Sequence, residues 1–182
     1  MKFLVGLGNP EESFARTRHN AGFIFLDWLA KDFGAKFSFQ KKINSLIAKP
    51  NSQLILCKPQ TYMNRSGLAV QTALNYYGDG STKQQLCDLV VIHDDLDLSL
   101  GKYKLQFGTG PKKHNGLLSI YEQLGSDQFW HLRIGIDHRG DLRRNIPGEN
   151  YVLQDFPPLE QAVIIKALPS IYHSLATKLE LS

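Results

Sequence analysis

Cysteine is scarce. The 182-residue chain has only Cys57 and Cys87, in or beside apolar strand-like runs and without paired zinc spacing, so both read as free thiols. Long apolar runs are missing too. No segment approaches the ~18 apolar residues of a membrane span. The opening MKFLVGLGNP breaks its short apolar run with glycine and proline and has no cleavage pattern. These absences predict a soluble, cytoplasmic protein with no membrane partner. No short repeat period marks a solenoid, and 21% charged residues of mixed sign exclude a disordered chain. The net charge of +4 is compatible with an anionic partner without requiring one.

Several chemical signatures are absent as well. No G-x-S-x-G elbow supplies a serine nucleophile, and no Gly-Lys-Ser/Thr triplet makes a Walker loop. GLGNPE (6–11) begins like a dinucleotide fingerprint, but Glu11 stands at the third glycine position, where its charge would oppose a pyrophosphate. The run His93-Asp94-Asp95-Leu96-Asp97 has the carboxylates a hard cation prefers. On a strand end, however, His93 and Asp95 face away from Asp94, and no H-E-x-x-H or EF-hand spacing supports a cage. No metal or cofactor is expected.

What is present suits one compact unit spanning 1–182. With 42% hydrophobic residues, the chain can bury a sizeable core. Strand-like runs at 2–7, 53–58, 88–93, 102–107 and 131–136 alternate with helical patterns. The first helix, about 20–33, places Phe23, Leu26, Leu29, Ala30 and Phe33 on one face. The second starts with Ser66 as N-cap, turns Leu68, Ala69, Ala73 and Leu74 inward, and ends at Gly78. A third runs from near Asn115 to Leu124. The last covers about 158–179, with Pro169 expected to kink or split it. This alternation predicts a single-domain, three-layer α/β/α sandwich with a mixed, largely parallel central sheet.

In such sheets, sites gather beyond the carboxyl ends of the strands. Asn9, Asp94 and Asn64 follow strand-like runs, His19 precedes the first helix, and His114 and Asn115 open the third. An imidazole held by a carboxylate is a better-oriented base. His19 with Asp94 therefore reads either as a water-activating pair or as a core histidine bonded to a buried acid. Lys102, Lys104 and Gln106 alternate onto one strand face, Lys112 and Lys113 follow in GTGPKKHNG (108–116), and Arg133 sits on the next strand. That array fits an anion site or a solvated edge. Residues 138–144, HRGDLRR, read as a mobile basic loop, and His131 and His173 read as structural.

Taken together, VGLGNP (5–10), TRHNAG (17–22), KPQTYMNRSG (58–67), HDDLDLSLGKYKLQFGTGPKKHNG (93–116), LRIGI (132–136) and YVLQDF (151–156) resemble the bacterial-type peptidyl-tRNA hydrolases. The resemblance runs over nearly the whole chain in the family's order. It implies a monomeric α/β/α enzyme, without cofactor or metal, that cleaves the ester between a peptide and the tRNA 3′-ribose and returns the tRNA to translation. The alternative is an RNA-binding module on this fold without catalysis. By resemblance, His19 is the catalytic histidine, Asp94 the acid that orients it, and Asn115 the residue that positions water or the scissile group. Asn9 and Asn64 hold the peptide portion, with Tyr62 and Met63 in the same motif and His114 beside Asn115. Arg133 is half of a clamp on the tRNA 5′-phosphate. The chain departs from the family at Glu11, Phe14 and Gln106, usually glycine, tyrosine and the clamp's lysine, and at GTGPKKHNG, usually GGGHGGHNG. Lys104, Lys112 or Lys113 is expected to supply the missing charge.

Overall fold

The structure is a computed structural model that describes residues 1–78 and 81–181, with the side chains of Leu142 and Arg144 outside that description. Its strands are β1 (Lys2–Gly6), β2 (Ser38–Gln40), β3 (Ser45–Asn51), β4 (Leu54–Pro59), β5 (Leu89–Ser99), β6 (Tyr103–Phe107) and β7 (Trp130–Asp137). Its helices are α1 (Ala21–Asp32), α2 (Ser66–Tyr77), α3 (Thr82–Asp88), α4 (Asn115–Leu124), α5 (Gly148–Val152) and α6 (Pro158–Leu179).

The strands form one mixed sheet in the order β2-β3-β4-β1-β5-β7-β6. The middle of it, β4-β1-β5-β7, is parallel, and β2, β3 and β6 add antiparallel edges. Strand residues alternate between two apolar layers. Leu4, Val90, Ile92 and Leu132 pack with α1 and α6 on one face. Phe3, Val5, Leu89 and Val91 pack with α2 and α4 on the other. The parallel strands are apolar on both faces because helices cover both. The expected three-layer architecture is therefore the one observed.

Two details of this packing place the site. The amide of Leu7 donates to Ile92 O at 2.9 Å, which extends the β1–β5 ladder past the strand end. Gly22 then lets α1 start directly against that ladder, since a Cβ there would lie 2.3 Å from Ile92 O. The turn of Arg18–Asn20 is thereby brought against the middle of β5, at Asp94.

Local expectations fared unevenly. Ser66 is not the N-cap of α2. Arg65 holds that position, and the Ser66 hydroxyl donates to Met63 O at 2.9 Å, because a 3-10 turn at Met63–Arg65 precedes the helix. Leu68 is 48% exposed instead of inward, and Phe33 lies just past α1, half exposed against the edge of Tyr172. Pro169 neither splits α6 nor ends it. The proline is on the exposed side, where the carbonyl it strands can be hydrated, while Ile164, Leu168, Ile171 and Leu175 keep a continuous buried stripe. The basic stretch at 138–144 is tied down: Arg139 is buried and donates to Asp137 and Ile146 O, and Arg143 donates to Leu96 O.

Candidate functional site

Past the carboxyl end of β1 the chain brings together polar side chains far apart in sequence; Asp94 does not follow its strand as expected but lies mid-way along β5, which continues to Ser99 paired with β7. His19, in the turn ahead of α1, and Asp94, in β5, are both buried, and His19 Nδ1 lies 2.8 Å from Asp94 Oδ1. His114, the N-cap of α4, places Nε2 3.0 Å from the same oxygen. Its other nitrogen, Nδ1, accepts from the Leu117 amide at 3.4 Å. That acceptor role fixes the tautomer: the His114 proton is on Nε2 and points at Asp94.

The carboxylate is ionised. Burial alone would raise its pKa, but the two imidazoles outweigh burial and hold it well below the usual carboxylate range. A carboxylate only accepts, so His19 must donate from Nδ1. Its Nε2 lone pair is thus turned away from Asp94. Burial works against charge on His19, yet the charge and hydrogen bond of Asp94 more than offset it, and the His19 pKa is raised above 6.5. The pair has the geometry of an oriented base.

The same three side chains are close enough to be considered as a metal-binding group. Their protons argue otherwise. His114 can offer Nε2 to a cation only by giving up its bond from Leu117 N, and His19 can offer Nδ1 only by losing Asp94 as acceptor. As arranged, His19 Nδ1 and His114 Nε2 are both spent on Asp94 Oδ1.

Asn9 and Asn20 join the rim to the base. Asn9 N donates to Asn20 Oδ1 at 2.9 Å, Asn20 Nδ2 donates back to Asn9 O at 3.0 Å, and Asn9 Oδ1 accepts from Met63 N at 2.9 Å. Because its oxygen is committed to Met63, Asn9 has only its Nδ2 donors to offer a ligand. Met63 itself is buried and belongs to the core: a Cβ on Gly116 would come 2.5 Å from its sulfur, so that glycine lets α4 start against it. Asn64, Asn115 and Tyr62 are exposed, Asn115 at the first position of α4. The Tyr62 hydroxyl donates to Glu11 across the rim, and that carboxylate raises the phenol pKa.

Of the anion-site residues, Lys104, Gln106 and Arg133 lie on β6 and β7. Arg133 and Lys104 are directly opposed in the antiparallel ladder. Arg133 is not a free charge: Nε donates to buried Asp95 at 2.6 Å, and Nη1 to Gln106 Oε1 at 2.8 Å. Lys112 and Lys113 are exposed in the bend before α4. Arg18 and Asn20 stand in TRHNAG with no role of their own assigned by the sequence. The available signal was three successive polar residues, Arg18-His19-Asn20, ahead of an apolar helix; all three are buried.

Comparison with known proteins decides the family. The family model described as peptidyl-tRNA hydrolase matches residues 3–181. The chain belongs to the peptidyl-tRNA hydrolase family. A peptidyl-tRNA hydrolase of Nitrosomonas europaea is 41% identical, over 96% of this chain and 86% of that protein. One from Neisseria meningitidis serogroup C is 40% identical, over 99% and 93%. The solved structure of the peptidyl-tRNA hydrolase from Acinetobacter baumannii superposes with a TM-score of 0.79 at 35% identity, covering 93% of this chain and 83% of that one.

Proposed function

We propose that this chain hydrolyses the ester between the peptide and the 3′-ribose of peptidyl-tRNA, with water as nucleophile and His19 as general base. Family membership supports the reaction, and one observation carries the mechanism: two donors, His19 and His114, converge on one ionised oxygen of Asp94, which leaves His19 Nε2 as a lone pair. Nε2 takes a proton from water as the water oxygen attacks the ester carbonyl. Asp94 stabilises the imidazolium that forms. The tetrahedral intermediate then collapses, the ribose oxygen leaves with the proton from His19, and the peptide departs as a carboxylic acid that ionises. General-base assistance contributes roughly 10²–10⁴ in rate, which suits an ester, a bond more reactive than an amide.

Asn115 opens α4, where the positive end of the helix dipole faces the charge that develops on the carbonyl oxygen, and its amide positions the water or the scissile group. Asn9, through Nδ2, and Asn64 hold the peptide backbone shared by all substrates, and Tyr62 and Met63 shape that end of the rim. His114 serves the substrate indirectly, through its bond to Asp94. Arg133, Lys104, Lys112 and Lys113 address tRNA phosphates, a contribution that weakens as salt rises. The enzyme acts as a monomer in the cytoplasm, without cofactor; among the described residues no helix is long and apolar enough to cross a membrane.

The test is cleavage of N-acetylated against free aminoacyl-tRNA by wild type and His19→Ala, each with and without EDTA. The expected result is cleavage of the N-acetylated substrate by wild type, its loss in His19→Ala, and no chelator effect. Substantial activity without His19 refutes the mechanism, and binding of tRNA with no cleavage by wild type points to an RNA-binding module.

A further inference from the structure

We propose that Arg18 and Glu160 are positioning residues: their buried ion pair aims the turn that carries His19. The proposal rests on His19 being the base. Arg18 is 3% exposed, and its guanidinium is engaged on every side. Nε and Nη2 donate to Glu160 Oε2 at 3.1 and 2.8 Å, and Nη1 donates to the carbonyls of Gln154 at 3.2 Å and Tyr151 at 3.4 Å. The Tyr151 ring lies 3.9 Å from Cζ. The backbone adds Arg18 N to Gln154 O and Phe156 N to Arg16 O, flanking a bridge between Thr17 and Asp155.

The turn of residues 18–20 is therefore held from both sides. Arg18 fastens it to the 151–160 segment, while His19 and Asn20 fasten it to Asp94 and Asn9. A three-residue 3-10 turn has little stiffness of its own, so its direction is imposed from outside. A buried ion pair is a poor way to gain stability, because apolar residues of similar volume serve as well or better. It is a good way to fix direction, since the planar fork admits one arrangement. Lysine keeps the charge but not the fork.

Charged and titratable groups surround this device: Arg139, paired with Asp137, lies 5.0 Å from the Tyr151 ring, and Arg16 pairs with Asp155 at 3.4 Å beside the bridge. Glu160 lies in the first turn of α6 and Tyr151 in α5. His138, just past β7, places Nδ1 3.2 Å from the second Glu160 oxygen. Around His19 itself stand Asp94 of β5 and His114 of α4. A turn freed from Glu160 lets His19 drift from Asp94, and a misplacement of about 1 Å can cost on the order of 10²-fold in rate.

The experiment uses the full chain with N-acetylated aminoacyl-tRNA and compares wild type, Arg18→Lys, Glu160→Gln, His19→Ala and the double variant Arg18→Lys/His19→Ala. Arg18→Lys and Glu160→Gln should stay folded, with kcat down about 10- to 100-fold and KM within about twofold. The acid limb of kcat/KM should move to lower pH as His19 loses part of the Asp94 pull, and the Arg18→Lys loss should vanish in the His19→Ala background. A change in KM alone, an unmoved acid limb, a rate that only tracks the folded fraction, or an equal loss with and without His19 overturns the proposal. So does failure of both variants to fold, which makes the pair structural. Full activity in His19→Ala instead removes the assignment of the base, a different result from any of these.

Discussion

Replacing Asp94 with asparagine keeps shape and an acceptor oxygen while deleting one buried charge. His19 Nδ1 and Asp94 Oδ1 are 2.8 Å apart, and with both charges delocalised an effective separation of about 4 Å is taken for the pair. At an effective dielectric near 20, suited to protein sites, that is about 4 kcal/mol for a full imidazolium. With half the charge formed in the transition state the loss is about 2 kcal/mol. Asp94→Asn should therefore lower kcat by about 30- to 1000-fold, at about tenfold per 1.4 kcal/mol. The pH profile gives a second, independent readout. Protonated His19 is inactive, so wild-type activity falls as pH drops through its raised pKa. Without the carboxylate only burial remains, which lowers an imidazole pKa. The acid limb of the variant must then lie below 6.5, and its deficit must shrink as pH falls. Initial rates on N-acetylated aminoacyl-tRNA from pH 5 to 9 measure both. A loss under about threefold at pH 8, or an acid limb that stays in place, refutes the assignment of Asp94 as the group that raises and aims His19.

Burial pushes the His131 imidazole down to about 4, so the unfolded chain binds more protons than the folded one below pH 6.5. Stability should fall by roughly 1.6 kcal/mol between pH 6.5 and 5 from this residue alone, and urea titrations of His131→Phe should show a shallower acid loss. Gly67→Ala puts a Cβ 2.0 Å from Ser119 O, where α2 crosses α4. It should cost about 2–4 kcal/mol, beyond ordinary overpacking, because backbone must yield; denaturant midpoints measure it. Lys104→Ala, opposite Arg133, should raise KM several-fold at low salt and have little effect at high salt, and an unchanged KM at low salt removes Lys104 from the tRNA face.

The parallel strands were legible because they are apolar on both faces, and α1 and α4 because polar and apolar residues alternate at helical spacing. Elements without a buried face left no such trace. Among the described residues, α3 buries none of its side chains, and β2 is a three-residue edge. Residue types at the site were equally visible, since His19 precedes α1 and His114 caps α4, whereas Asp94, expected past its strand, sits within β5. Their bonding was not. That His114 points at Asp94 depends on a cap bond to Leu117, and that Asn9 spends its oxygen on Met63 depends on a loop 54 residues away. Nor does composition announce that Arg133 is neutralised by Asp95, because the pairing requires β5 and β7 to be neighbours.

The brace between residues 16–18 and 151–160 has a consequence for synthesis. His19, Asp94 and Asn115 are all made well before Glu160, so the turn bearing His19 can reach Asp94 and Asn9 while its Arg18 side still lacks the partners of the 151–160 segment. On the reading given above, a growing chain is itself a peptidyl-tRNA, so an early and competent site would be in the presence of its own linkage. The brace on the His19 turn is thus completed only after every other residue of the site has been made.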